Sequence, residues 1–112
     1  MIQNKGNNEI LAKEHKLCNN LFSQAKGLMF SRQKSLVFEF DNERIVSLHM
    51  FFVFFPIDVV FLDENLKVVE IKENFKPFSF YIPKNKAKYV LELGLGVVAD
   101  TGTKVGDVIH YH

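Results

Sequence analysis

Most of this chain follows the two-residue period of a half-buried strand. Leu36, Phe38 and Phe40 fall on one face of Ser35–Phe40, with Ser35, Val37 and Glu39 on the other. Asp41-Asn42-Glu43 then reads as a turn. Arg44 to Met50 resumes as a strand, with Ile45, Ser47 and His49 opposite Val46, Leu48 and Met50. The stretch Leu48 to Asp63, LHMFFVFFPIDVVFLD, is the most apolar of the chain. Pro56 has no N–H to give a central ladder, so the stretch is expected to be two strands joined by a bend. Ile57 to Leu62 is the second of these. Asp63-Glu64-Asn65 turns it, and Lys67 to Lys72 returns as the other arm of a hairpin.

The flanking segments supply the rest. Met1 to Asn8 is polar and rich in Gly and Asn, which predicts a loose arm before a single domain over 9–112. Glu9 to Leu17 holds a short strand. In Asn19–Phe30, Leu21, Ala25, Leu28 and Met29 recur at helical spacing, and Gly27 suits the end of a short helix. Asn74 to Pro83 carries Pro77 and Pro83, which predicts an irregular or edge segment. Ala87 to Leu93 alternates again, although its Leu and Glu residues also suit a helix. Gly94, Gly96 and Gly102 leave room for a helical turn over Val97–Asp100, and Val108 to Tyr111 closes the chain as a strand. Short strands joined by turns predict a mainly β fold: a small antiparallel β-sandwich or partly closed, jelly-roll-like barrel with one or two short helices.

Composition narrows the class. The 112 residues are 47% hydrophobic and 24% charged, which suits a packed domain. The net charge of +1 provides no basic footprint for nucleic acid. A single cysteine, Cys18, rules out an internal disulfide and fits a reducing, cytoplasmic setting. The N-terminus lacks the apolar core of a signal peptide, and Pro56 and Asp58 break the longest apolar run before membrane-spanning length.

Five segments in order carry a resemblance: Gly27-Leu28-Met29-Phe30; the Leu36–Phe40 strand; Pro56-Ile57-Asp58-Val59-Val60-Phe61-Leu62-Asp63; Tyr89-Val90-Leu91-Glu92-Leu93; and Lys104-Val105-Gly106-Asp107. From about Leu17 onward the chain resembles the DUF192 (UPF0127) family of uncharacterised small proteins. That implies a small, mainly β domain of sandwich or jelly-roll type and implies little about activity. Many members read approximately Phe-Trp-Met-Lys-Asn-Thr before the Pro-x-Asp step. Here Leu48-His49-Met50-Phe51-Phe52-Val53 stands there, so a site built on the polar trio is not shared in the same form.

Three candidate sites emerge. Asp58 shares a face with Val60 and Leu62, so it must be paired, hydrogen-bonded or protonated. It is either a pocket acid or a structural acceptor of backbone N–H groups at the Pro56 bend. His49, with Met50 beside it, could meet Asp58 if the chain folds back at Pro56, giving an acid–base pair; the plainer reading is an aromatic-sized filler. Cys18, with His15 or His49 as base, sits in no nucleophile motif and reads as a small buried hydrophobe. His110 and His112 are two ligands at most, short of a metal site, and the glycines match no phosphate-binding pattern. No cofactor is implied. The reading favoured is a non-catalytic module binding a small molecule or a protein near Asp58, His49 and Met50. The alternative is a hydrolase or isomerase using Asp58 and His49. Homo-oligomerisation through an aromatic surface is a further expectation.

Overall fold

The computed structural model describes residues 1–18, 35–49 and 55–112, residue 49 by its backbone alone. The expected helix within Asn19–Phe30 and the phenylalanines at 51, 52 and 54 lie outside these residues, as does Met50. The strands are β1 (Ile2–Asn4), β2 (Ile10–Ala12), β3 (Lys16–Cys18), β4 (Leu36–Arg44), β5 (Leu48–His49), β6 (Ile57–Leu62), β7 (Val68–Phe75), β8 (Phe80–Tyr81), β9 (Ala87–Gly94) and β10 (Ile109–Tyr111). One short helix, α1 (Val97–Thr101), precedes the last strand.

A five-stranded sheet, ordered β3-β4-β9-β6-β7, carries the core. All six residues of β6 are buried. Strands β7 and β9 flank it and both of its faces are packed, so IDVVFL has no exposed face to alternate toward. Pro56 stands just before β6, outside the ladder that its missing N–H would have broken. The β6–β7 hairpin forms as expected. The Asp63 carboxylate accepts the Asn65 and Lys67 N–H groups at 2.8 and 3.0 Å, and Leu66 takes the left-handed backbone of the turn.

One face of this sheet presents Val37, Val60, Leu62, Leu91 and Leu93 to a three-stranded sheet, β10-β1-β2, and to α1; Ile2, Leu11, Val98 and Ile109 complete that cluster. The other face holds Leu36, Phe38, Ile57, Val59, Phe61, Phe75 and Val90, with Leu48 and Tyr81 of the β5–β8 pair packed on it. The architecture is mainly β and sandwich-like. Closure into a barrel or jelly-roll winding is not found among the described strands.

Several expectations need correction. Residues 2–4 are the central strand of the three-stranded sheet, with Ile2 and Asn4 fully buried, where the composition suggested a loose arm. Asn4 is held by polar bonds that hydrophobicity does not register: its amide donates to Asp107 at 2.9 Å and Thr103 at 3.3 Å. Asp41-Asn42-Glu43 does not end the strand. It is exposed on an irregularity between Glu39 and Arg44, after which β4 pairs again with Ala87. Of the strand expected over Arg44–Met50, Arg44 ends β4 opposite Ala87, and Leu48 and His49 form the separate strand β5, paired with Tyr81 and Phe80. Finally, β3 runs parallel to β4, so the sheet is not wholly antiparallel.

Candidate functional site

Asp58 is 1% exposed and lies on the face that packs against α1. Both carboxylate oxygens are engaged by main-chain donors. Oδ1 accepts the Asn74 N–H at 3.0 Å; Oδ2 accepts those of Gly96 at 3.1 Å and Val98 at 3.0 Å. These bonds tie the end of β7 and the start of α1 to the central hairpin. The helix needs the tie, because the residue at its N-terminal cap, Gly96, has no side chain to cap it. Gly96 enters the helix at φ 87°, a backbone that glycine adopts at little cost. The carboxylate is thus a hydrogen-bond acceptor for backbone groups, at Asn74 and α1 rather than at the Pro56 bend.

His49 is placed by its backbone opposite Phe80, and its side chain lies outside the description. Its neighbour Leu48 packs on the sheet face opposite the one that holds Asp58. Met50 is outside the described residues. Cys18 is buried, and burial pushes its thiol pKa up, the wrong direction for a nucleophile. His15 is taken up elsewhere. Its Nδ1 stands 3.2 Å from the Met1 amine and its ring meets Tyr111 edge-on at 5.7 Å. An ammonium can only donate, so Nδ1 accepts and Nε2 carries the proton of the neutral ring. Burial, then the Met1 amine, lowers the His15 pKa. The rings of His110 and His112 lie 5.2 Å apart, and no cluster of three metal-ligating side chains occurs among the described residues.

Glu70 and Glu92 are among the further buried carboxylates that were not singled out from the pattern. Glu70 on β7 accepts the Tyr81 hydroxyl, the Lys84 and Asn85 N–H groups at 2.9 Å each, and the Asn85 side-chain amide at 3.0 Å. It fixes the Pro77–Pro83 segment so that Tyr81 packs on Phe61, with ring centroids 5.9 Å apart. Despite the opposing effect of burial, these hydrogen bonds bring the Glu70 pKa below its ordinary value. Glu92 on β9 is the opposite case. It lies between Leu36 and Val59 on the face away from α1, is 7% exposed, and its Oε2 is buried without a hydrogen-bond partner. Burial pushes its pKa up to about 8. The signal was available: Glu92 shares alternation with Val90 in a strand whose other face, Tyr89, Leu91 and Leu93, is also apolar.

A cleft of about 620 Å³ opens beside α1, lined by Leu11, Ala12, Lys13, Glu14, His15, Lys16, Ser35, Gly94 and Val97. Gly94 and Val97 belong to the same β9–α1 passage as Gly96 and Val98, which Asp58 holds. Asp58 therefore braces a wall of the cleft from behind without lining it.

Comparison with known proteins agrees with the fold. The profile of the DUF192 family (Uncharacterized ACR, COG1430) matches residues 2–111, so the likeness begins at β1, well before Leu17. A UPF0127 protein of Thermococcus sibiricus is 35% identical over 115 residues, 99% of this chain and 74% of its own. UPF0127 protein PH1112 of Pyrococcus horikoshii is 35% identical over 114 residues, covering 99% and 98%. Among solved structures, a protein of unknown function from Novosphingobium aromaticivorans superposes with a TM-score of 0.79 at 25% identity, over 87% of this chain and 74% of that one. With the family profile running nearly end to end and such relatives beside it, the chain belongs to the DUF192 (UPF0127) family.

Proposed function

We propose that the protein is a non-catalytic binding module for a small molecule, seated in the cleft between the β2–β3 connection and the start of α1. The observation that carries this reading is the division of labour around Asp58. The acid that the sequence marks most strongly is spent on three main-chain N–H groups, and the cleft whose wall it braces has the size of a small-molecule site. A general acid or base needs a free proton position within reach of the substrate. The Asp58 oxygens are turned inward. Burial raises the Cys18 pKa, which weighs against a nucleophile at that position.

A ligand screen by thermal shift tests this, run on the parent protein, Asp58→Asn and Val97→Trp. A ligand of the folded state raises Tm by mass action. Val97→Trp fills the cleft, and its far-ultraviolet circular dichroism shows whether the fold persists. A shift lost in folded Val97→Trp supports the cleft. A shift retained there places binding elsewhere, and turnover of the bound compound would make the protein an enzyme.

A further inference from the structure

We infer that the ligand of this cleft is an organic anion, with its acidic head beside Lys13 and Lys16 and its apolar body against Leu11 and Val97. The inference rests on the binding reading above and specifies its chemistry. The polar lining is dominated by donors: two lysines, the Ser35 hydroxyl and the His15 ring, against the single carboxylate of Glu14. With Nδ1 accepting from the Met1 amine, His15 has only an N–H left to offer. With two lysines against one glutamate, the wall carries a net positive charge that favours an anion. A cationic ligand would find one exposed glutamate and two like charges. Leu11 is buried and Val97 half-buried, so the floor is apolar. At about 620 Å³ the space is far larger than an inorganic ion fills, which leaves room for a carbon body behind the charge. A polyanion is disfavoured, because a net charge of +1 leaves no basic stripe to track a backbone.

The test is a two-dimensional amide NMR titration of the full chain with sodium hexanoate, 1-hexanol and inorganic phosphate, each at matched ionic strength. It is repeated on Lys13→Gln/Lys16→Gln. Both lysines are exposed, so the double variant keeps its fold. Hexanoate is expected to move the amides of Leu11, Ala12 and Val97 saturably, with hexanol and phosphate each weaker. The lysine variant should bind hexanoate about five-fold less tightly, the scale of one to two exposed charge contacts. Hexanol matching hexanoate, with no loss in the variant, overturns the anion and leaves the binding cleft standing. Phosphate matching hexanoate reduces the site to a simple ion contact and overturns the organic body. If no probe moves these amides, the inference and the cleft reading fall together.

Discussion

Asp58 and Glu92 are buried carboxylates in adjacent strands of one sheet, β6 and β9, facing opposite sides of it. Asp58 receives three main-chain N–H groups, two of them from the start of a helix. Glu92 sits against an apolar cluster with one oxygen unpartnered. Taking a carboxyl group out of water costs several kcal/mol unless the protein replaces the lost hydrogen bonds. At Asp58 the main chain replaces them, and the acid becomes a joint between elements. At Glu92 the cost is met by keeping the proton: burial lifts the pKa to about 8, so the group is mostly neutral at pH 7. The same residue class in the same sheet therefore does opposite things. What decides it is the donors within reach, and burial is common to both.

The largest effect expected is at Asp58. In Asp58→Ala the N–H groups of Asn74, Gly96 and Val98 lose their acceptor together. With ~1–3 kcal/mol per buried group left unsatisfied, and some relief from water entering, the loss should be about 3–5 kcal/mol in urea unfolding. Asp58→Asn keeps one acceptor oxygen and turns an NH2 toward a donor, so about 2–4 kcal/mol is expected. A loss under 1 kcal/mol for Asp58→Ala would show that these bonds do not hold the joint, and the contrast with Glu92 would collapse.

Glu92 should respond in the opposite direction and depend on pH. Its folded pKa lies above its unfolded value of 4.5. The unfolded state therefore ionises first as pH rises, and the stability tied to the neutral form is lost between about 4.5 and 8. Below that window the contribution is complete, and above it the loss is flat. Glu92→Gln cannot ionise. Relative to the parent it should gain on the order of 2–4 kcal/mol on going from pH 5 to pH 8, at ~1.4 kcal/mol per pKa unit. Measuring both proteins at each pH cancels the contributions of Glu70 and Asp107, whose pKa values are lowered and act at the acidic end. A constant difference across that range would mean that Glu92 has found a partner in solution.

How much of this could be read from the residues follows from the range of the forces involved. The β6–β7 hairpin, the Pro56 break and the α1 turn are set by local chemistry: a proline lacking a donor, an Asx turn at Asp63, glycines bracketing Val97–Thr101. All three are visible in the sequence. The burial of Asp58 was equally plain, since alternation places it with Val60 and Leu62. Its partners were not, because Asn74 lies 16 residues away and Gly96 and Val98 lie 38 and 40 away. Strand β1 was missed because its anchor is a polar contact from Asn4 to Asp107, 103 residues on. The turn signal at Asp41-Asn42-Glu43 was overridden, and these residues stay within β4. Pairing of Arg44 with Ala87 on the next strand carried β4 through it. The cleft joins Lys13–Lys16 to Gly94 and Val97, which only the folded sheet brings together.

The smallest effect is the most discriminating, because it separates the strain at Gly96 from its bond to Asp58. Gly96 and Gly106 both have left-handed backbones, at φ 87° and 98°. A Cβ at Gly106 would meet nothing within 4 Å, and one at Gly96 would only touch the Asp100 carboxylate at 3.9 Å. Alanine at either position therefore carries the same conformational penalty, about 1 kcal/mol, with no clash. The two N–H groups differ: that of Gly106 donates to the Val68 carbonyl at 2.9 Å and that of Gly96 to Asp58. If the carboxylate joint resists the backbone shift that alanine asks for, Gly96→Ala should cost about 0.5–1 kcal/mol more than Gly106→Ala, the scale of one hydrogen bond. In an Asp58→Asn background that excess should shrink toward zero, since the bond it measures is already weakened. An excess that survives in Asp58→Asn would belong to the helix start itself, and Asp58 would then be satisfied by α1 without holding it in place.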